Sequence, residues 1–339
     1  MRWLRAALTL CLALLTLGGR AAATEDLEDV SLADTPQKPY VYLLSPESGS
    51  SYESGSRLTV RAAGSNVASL ELELEGAEET LTFSAEGSEI EHEFVFSVPQ
   101  TQGARLLVRG YGETRPGEKP LTTELVHDIP SPKEELIGRM IALAYANSKD
   151  SRYKFAPAEE DGDIGVCKNF VMRLFDTFSK EYRMAAYPEL PLHMPKNNSK
   201  AACAPYDYGI EWRPETAADG SPFEIAAQFK YNQELSQEEN AALARELLTQ
   251  IRKGDFFQIV GYYGGGNGPH SMYIIEDYDP ATQMIRWTDS NMRGTRINGV
   301  RWGYMQFDAD ADVDWWIEVF NRKKRGATLY RLRDDLYKY

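Results

Sequence analysis

The apolar residues of this chain change their period at Ser131. Upstream they recur every second residue. Ser69-Leu70-Glu71-Leu72-Glu73-Leu74-Glu75 alternates apolar and charged positions, as do Glu89-Ile90-Glu91-His92-Glu93-Phe94 and, more briefly, Arg57-Leu58-Thr59-Val60-Arg61. Such alternation puts one face of a strand in a core and the other in water. Turn-forming clusters separate the runs, at Ser45-Pro46-Glu47-Ser48-Gly49-Ser50, Gly64-Ser65-Asn66 and Glu86-Gly87-Ser88. Residues 38–130 therefore predict about seven short strands in an all-β sandwich.

From Ser131 the spacing becomes helical. Ser131-Pro132-Lys133-Glu134 offers a cap, a proline suited to the first turn and a glutamate that completes a capping box. Leu136, Met140, Leu143 and Ala144 then mark one face. A second helix is expected from near Val166, carrying Phe170, Val171, Leu174, Phe175 and Phe178. Ser221-Pro222-Phe223-Glu224 announces a third. A fourth follows Ser236 with Glu239 and runs to a left-handed cap at Gly254. Strands are expected over 256–263, 271–278, 284–290 and 327–332, with Asp279-Pro280-Ala281-Thr282 as a turn. Helices first and an antiparallel sheet afterwards make residues 131–339 an α+β domain. Residues from about 182 to 235, rich in Pro, Tyr and Asn, read as an insertion outside its core.

The first residues bear on compartment. Met1-Arg2-Trp3-Leu4-Arg5 is basic, residues 6–17 are apolar, and Ala21-Ala22-Ala23 supplies small residues for cleavage. Residues 1–23 thus predict a signal peptide, followed by an acidic, flexible lead-in over 24–37. The protein is expected to be secreted or in the cell envelope of a bacterium, with no membrane span once the leader is removed. Residues 24–130 hold 7 Lys and Arg against 20 Asp and Glu, whereas 131–339 hold 27 against 31. The acidic N-terminal half argues against nucleic acid and anionic membrane as partners, because both require cationic surface. The chain is expected to act as a monomer.

Two cysteines remain beyond the leader, Cys167 and Cys203. In an exported chain their first reading is a disulfide. Cys167, however, stands at the start of the second helix, where unsatisfied N–H groups and the helix dipole favour a thiolate. Lys168 adds positive charge, and Gly165 allows the close backbone approach an oxyanion site needs. Of the four histidines, His270 alone opens a strand, after the loop Gly264-Gly265-Gly266-Asn267-Gly268-Pro269. No Gly-Lys-Ser/Thr follows, so the loop is not a phosphate cradle. On the next strand, Asp289 and Asn291 share one face, and either could orient the imidazole. His92 and His127 read as ordinary strand residues and His193 as a loop residue. Asp308, Asp310, Asp312 and Asp314 are spaced like a calcium loop, but Val313 and Val319 stand where Gly and Glu are required; a solvated acidic turn is expected. Arg322-Lys323-Lys324-Arg325 reads as a turn, and Trp315 and Trp316 as core or a sugar-binding surface. No metal or organic cofactor is implied.

The order helix, Tyr153, Cys-headed helix, Gly-Asp strand, His-headed strand, Asp/Asn strand resembles the NlpC-type and CHAP-type cell-wall peptidases and amidases, which are papain-like. The matching stretches are Val166-Cys167-Lys168-Asn169-Phe170-Val171, Lys253-Gly254-Asp255-Phe256-Phe257, Pro269-His270-Ser271-Met272-Tyr273-Ile274 and Asp289-Ser290-Asn291. Residues 38–130 resemble the cysteine-free immunoglobulin-like modules of bacterial surface proteins. The resemblance implies Cys167 as nucleophile, His270 as base, Asp289 or Asn291 as its orienter, and peptidoglycan stem peptides or a cell-surface peptide as substrate. Two departures touch the substrate cleft. Val166 and Lys168-Asn169 flank the cysteine where NlpC-type domains usually carry Asp-Cys-Ser-Gly, and about 50 extra residues precede the Gly-Asp strand. A transglutaminase-like acyl transferase and a non-catalytic surface-binding protein remain alternatives.

Overall fold

The computed structural model describes residues 38–46, 57–75, 80–84, 89–97, 103–113, 116–117, 119–150, 155–157, 168–194, 220–261, 270–298 and 300–339. The expected leader and lead-in, Tyr153, Cys167, Cys203 and the glycine-rich loop before His270 lie outside them.

Alternation upstream of Ser131 is realised as seven described strands: β1 (Tyr40–Ser45), β2 (Arg57–Ser65), β3 (Ser69–Leu74), β4 (Thr80–Ser84), β5 (Glu89–Ser97), β6 (Ala104–Tyr111) and β7 (Thr122–Ile129). They form two antiparallel sheets, β1-β2-β5 and β4-β3-β6-β7. The sheets share one core. Val60, Phe94 and Phe96 come from the first, and Leu70, Leu72, Leu106 and Val108 from the second. The charged alternates of β3 point outward, where Arg109 of β6 binds both Glu71 (2.7 Å) and Glu73 (2.9 Å). Apolar residues face inward and ion pairs face water because the strand period is two.

Downstream, helices α1 (Pro132–Lys149), α2 (Lys168–Phe178), α3 (Gln237–Leu248) and α4 (Val313–Lys323) flank a seven-stranded sheet. The capping boxes form as the sequence predicts. Ser131 Oγ accepts from the Glu134 N–H while Glu134 accepts from the Ser131 N–H, and Ser236 and Glu239 do the same for α3. The sheet comprises β8 (Phe155–Pro157), β10 (Phe223–Phe229), β11 (Phe256–Gly261), β12 (His270–Ile274), β13 (Met284–Ile297), β14 (Val300–Asp312) and β15 (Arg325–Leu332). Their order is β10-β15-β11-β12-β13-β14-β8, every pair antiparallel. A two-stranded sheet joins β9 (Tyr182–Met184) to β16 (Leu336–Lys338).

Both faces of the large sheet are covered. Phe256, Tyr273 and Tyr330 pack on one side with α1 and α2. Phe257, Met272, Ile274, Trp287 and Leu329 pack on the other with α3 and α4. Two-sided burial explains why the central strands read as nearly unbroken apolar runs. The result is a mixed helix–sheet fold with more strand than helix, in agreement with the α+β expectation at that level. Among the described residues no helix is long and apolar enough to cross a membrane.

The structure corrects four readings. The helix announced at Ser221 is strand β10. Ser221 Oγ accepts from the Phe223 N–H rather than from a third helical residue, and the segment pairs with β15 along the sheet edge. A register shift between Ile225 and Ala227 sends Phe223 into one core and Phe229 into the other, burial that a helix here would forgo. The fourth helix stops at Leu248, not Gly254; Gly254 is left-handed (φ 89°) but serves the turn into β11. The acidic run at 308–314 is no turn. It is the end of β14 and the start of α4, with Asp312 Oδ1 accepting the Trp315 N–H as the cap. Finally, the flanks of the supposed insertion are core: Tyr182, Met184, Leu192, Met194, Phe229 and Tyr231 are buried. Its middle, 195–219, lies outside the described residues.

Candidate active site

His270 is the first residue of β12, and Asp289 lies on the neighbouring strand β13. Tyr273 pairs with Thr288 and Ile274 with Trp287. Continuing that register sets Asn291 directly opposite His270, yet the imidazole leans along the sheet to Asp289. His270 Nε2 lies 2.7 Å from Asp289 Oδ2, with side-chain exposures of 15% and 8%. A carboxylate accepts, so Nε2 is the imidazole nitrogen that donates in this contact. Asn291 is exposed. Of the two candidate orienters, Asp289 is thus the one in hydrogen-bonding contact.

A third side chain completes the arrangement, and the sequence did not single it out. Trp287 Nε1–H donates to the same Asp289 Oδ2, at 3.2 Å. The ring is buried and meets Trp316 edge-on, centroids 5.2 Å apart. Asp289 Oδ1 is buried without a partner among the described residues, so both donors converge on one oxygen. The signal was present as Trp-x-Asp, two residues apart on one strand face.

Beside Asp289 the register of β14 slips. Trp287 pairs with Ala309 but Asp289 with Gln306, so β14 carries one extra residue there. Asp308 takes the left-handed conformation (φ 62°), which aspartate tolerates better than most residues, and binds Arg286 at 2.7 Å. The side chain read as part of an acidic turn is therefore the residue that permits a bulge next to the candidate site.

The helix that follows Cys167 is oriented differently from the pair. α2 begins at Lys168 and packs through Phe170, Val171, Leu174 and Phe175 on the Tyr273 side of the sheet. The His270–Asp289 pair belongs, through Trp287, to the opposite side. The structure brings His270 and Asp289 together; Cys167 lies outside the described residues. On the α2 face, Thr328, Gln258 and Ser271 form a row of buried polar side chains across three paired strands, in line with His270's end of β12.

The remaining candidates fall elsewhere. The Gly-Asp element sits at the other end of β12: the Gly254 N–H donates to Ile274 O (2.9 Å), about 13 Å of strand from His270. His193 Nδ1 lies 2.7 Å from the Met194 carbonyl, His92 stacks edge-on against Phe94, and His127 is on β7. Trp315 is exposed and Trp316 buried, so only the first presents a surface. Lys324 caps α4 in a left-handed conformation, and Arg325 opens β15. Among the described residues no group of three or more His, Cys, Asp or Glu is placed to hold a metal. No protein-family model, curated protein or solved structure matches this chain.

Proposed function

We propose that residues 131–339 form a papain-like cysteine hydrolase domain of the NlpC/CHAP type, preceded by an immunoglobulin-like sandwich over 38–130. On this reading the protein is exported and cleaves a peptide or amide bond in the stem peptides of peptidoglycan. The observation that carries it is the part-buried hydrogen bond from His270 Nε2 to Asp289 Oδ2 (2.7 Å), at the start of a strand. A carboxylate in that position holds one tautomer and stabilises the imidazolium that forms during proton transfer.

With Nε2 committed to Asp289, protons are exchanged at Nδ1. The Cys167 thiol passes its proton there, and the sulfur attacks the substrate carbonyl carbon. As the tetrahedral intermediate collapses, the C–N bond breaks and the amine leaves with the proton from Nδ1. Water then gives a proton to Nδ1 and adds to the thioester carbon, releasing a carboxylic acid and restoring the thiol. Backbone N–H groups at the head of α2 would hold the oxyanion. Because α2 and His270 occupy opposite faces of the sheet, the reading requires chain ahead of Lys168 to reach round the end where β12 starts.

That same opposition favours the second reading, a non-catalytic surface-binding protein in which the His270–Asp289–Trp287 network is structural. The deciding experiment is digestion of purified peptidoglycan by the wild type, Cys167→Ala and His270→Ala, with products followed by mass spectrometry. Water addition in the wild type and its loss in both variants supports the hydrolase. Amine transfer in place of water addition indicates an acyl transferase. Equal product in wild type and Cys167→Ala ends the proposal.

A further inference from the structure

Trp287 makes a directed contact that packing alone does not require. Its neighbour Trp316 is equally enclosed, by Phe257, Phe320 and Trp287, and its Nε1–H has no partner among the described residues. An indole can therefore sit in this core without a hydrogen bond. Trp287 instead aims its N–H at Asp289 Oδ2, the oxygen that already faces His270. An indole N–H only donates, so this oxygen must act as acceptor toward it.

We propose that Trp287 is a positioning residue of the candidate site: its indole N–H fixes Asp289 Oδ2 against His270 Nε2 and sets the proton affinity of the imidazole. Two effects follow from the geometry. The N–H anchors one carboxylate oxygen, while among the described residues Oδ1 has no donor that would reward rotation of the group. The N–H also places partial positive charge beside the pair, which disfavours a second positive charge on the imidazole. Trp287 thus holds the base in place and keeps it less basic than an Asp289 partner by itself would make it. Among the described residues Asp289 is the acid hydrogen-bonded to His270; Ile259, Met272 and Trp287 on that face carry no charge, while Arg325, two residues before the inward-facing Ala327 of β15, is a buried cation on the same face.

The inference rests on His270 being the base of the proposed reaction, but its test does not need turnover. Trp287→Phe keeps an aromatic ring and removes the N–H. The pKa of His270, read by imidazole NMR and assigned by its loss in His270→Gln, is expected to rise by about half a unit or more. In the wild type, the Trp287 indole N–H resonance is expected to titrate with the midpoint of His270, which serves should the variant fail to fold. A merely structural tryptophan moves neither quantity. An unchanged His270 pKa in folded Trp287→Phe, or an indole signal that stays flat through the His270 titration, overturns the proposal. A protein that cleaves nothing but shows both shifts would end the hydrolase reading and leave Trp287 only as the residue that positions the His270–Asp289 pair.

Discussion

Arg331 closes on Asp255 through two parallel hydrogen bonds, Nε to Oδ1 and Nη2 to Oδ2, both 2.8 Å. Asp255 is fully buried and also accepts the Arg252 N–H, while Arg331 reaches on to the Gln250 carbonyl. The Gly-Asp element therefore works here as a clamp between the start of β11 and the end of β15. Removing one partner strands a buried charge. Arg331→Gln is expected to cost about 3 kcal/mol, near the low end for such pairs because Arg331 is partly exposed. Urea unfolding of the purified variant measures it; a loss under about 1 kcal/mol would show that the pair does not hold the sheet.

Two glycines should respond to alanine with opposite signs. At Gly254 the backbone is left-handed, and a Cβ would meet three Ile137 side-chain atoms at 2.4–3.0 Å. Gly254→Ala is expected to destabilise by more than about 1 kcal/mol. Gly138 lies inside α1 with nothing within 4 Å of its would-be Cβ. Gly138→Ala should stabilise by about 0.5–1 kcal/mol through helix propensity and a less disordered unfolded chain. Thermal unfolding of the two single variants decides both signs.

On the proposed hydrolase reading, the two candidate orienters predict unequal losses of activity. Asp289→Asn keeps the shape of the side chain but offers an amide to Nε2–H, and kcat is expected to fall by about two to four orders of magnitude. Asn291→Ala removes an exposed side chain and should lower kcat less than about tenfold. Initial rates on peptidoglycan fragments test the order, and equal losses would contradict it.

Arg139 grips Glu181 through both Nη atoms (2.6 and 2.8 Å) and Tyr182 OH (3.1 Å), tying α1 to the segment that pairs with the C-terminus. The hydrogen bonds from Arg139 hold the Glu181 carboxyl below its ordinary 4.5. A depressed acid contributes stability that is complete above the ordinary value and is lost as pH falls through the lowered one. The stability difference between wild type and Arg139→Gln should therefore be constant near neutrality and shrink progressively below pH 4.5. Denaturant unfolding across that range provides the check, and a gap that widens in acid would refute the assignment.

The sequence by itself determined what a few neighbouring residues encode. Ser131-Pro132-Lys133-Glu134 and Ser236 with Glu239 start helices because the capping partners lie three positions apart. Leu70, Leu72 and Leu74 go inward because a strand alternates. His270 as a strand-opening residue and Asp289 as a same-face neighbour were legible for the same local reason. Only the tertiary structure chose between Asp289 and Asn291, because register favours one and the reach of the imidazole the other. It alone turned Phe223–Phe229 into a strand, where edge pairing with β15 outweighed a local helix signal. It also set α2 and His270 on opposite faces and converged Trp287 and His270 on one oxygen. Cross-strand partners depend on register, and the pairing of β12 with β13 that brings His270 beside Asp289 is one that no periodicity in the sequence reveals.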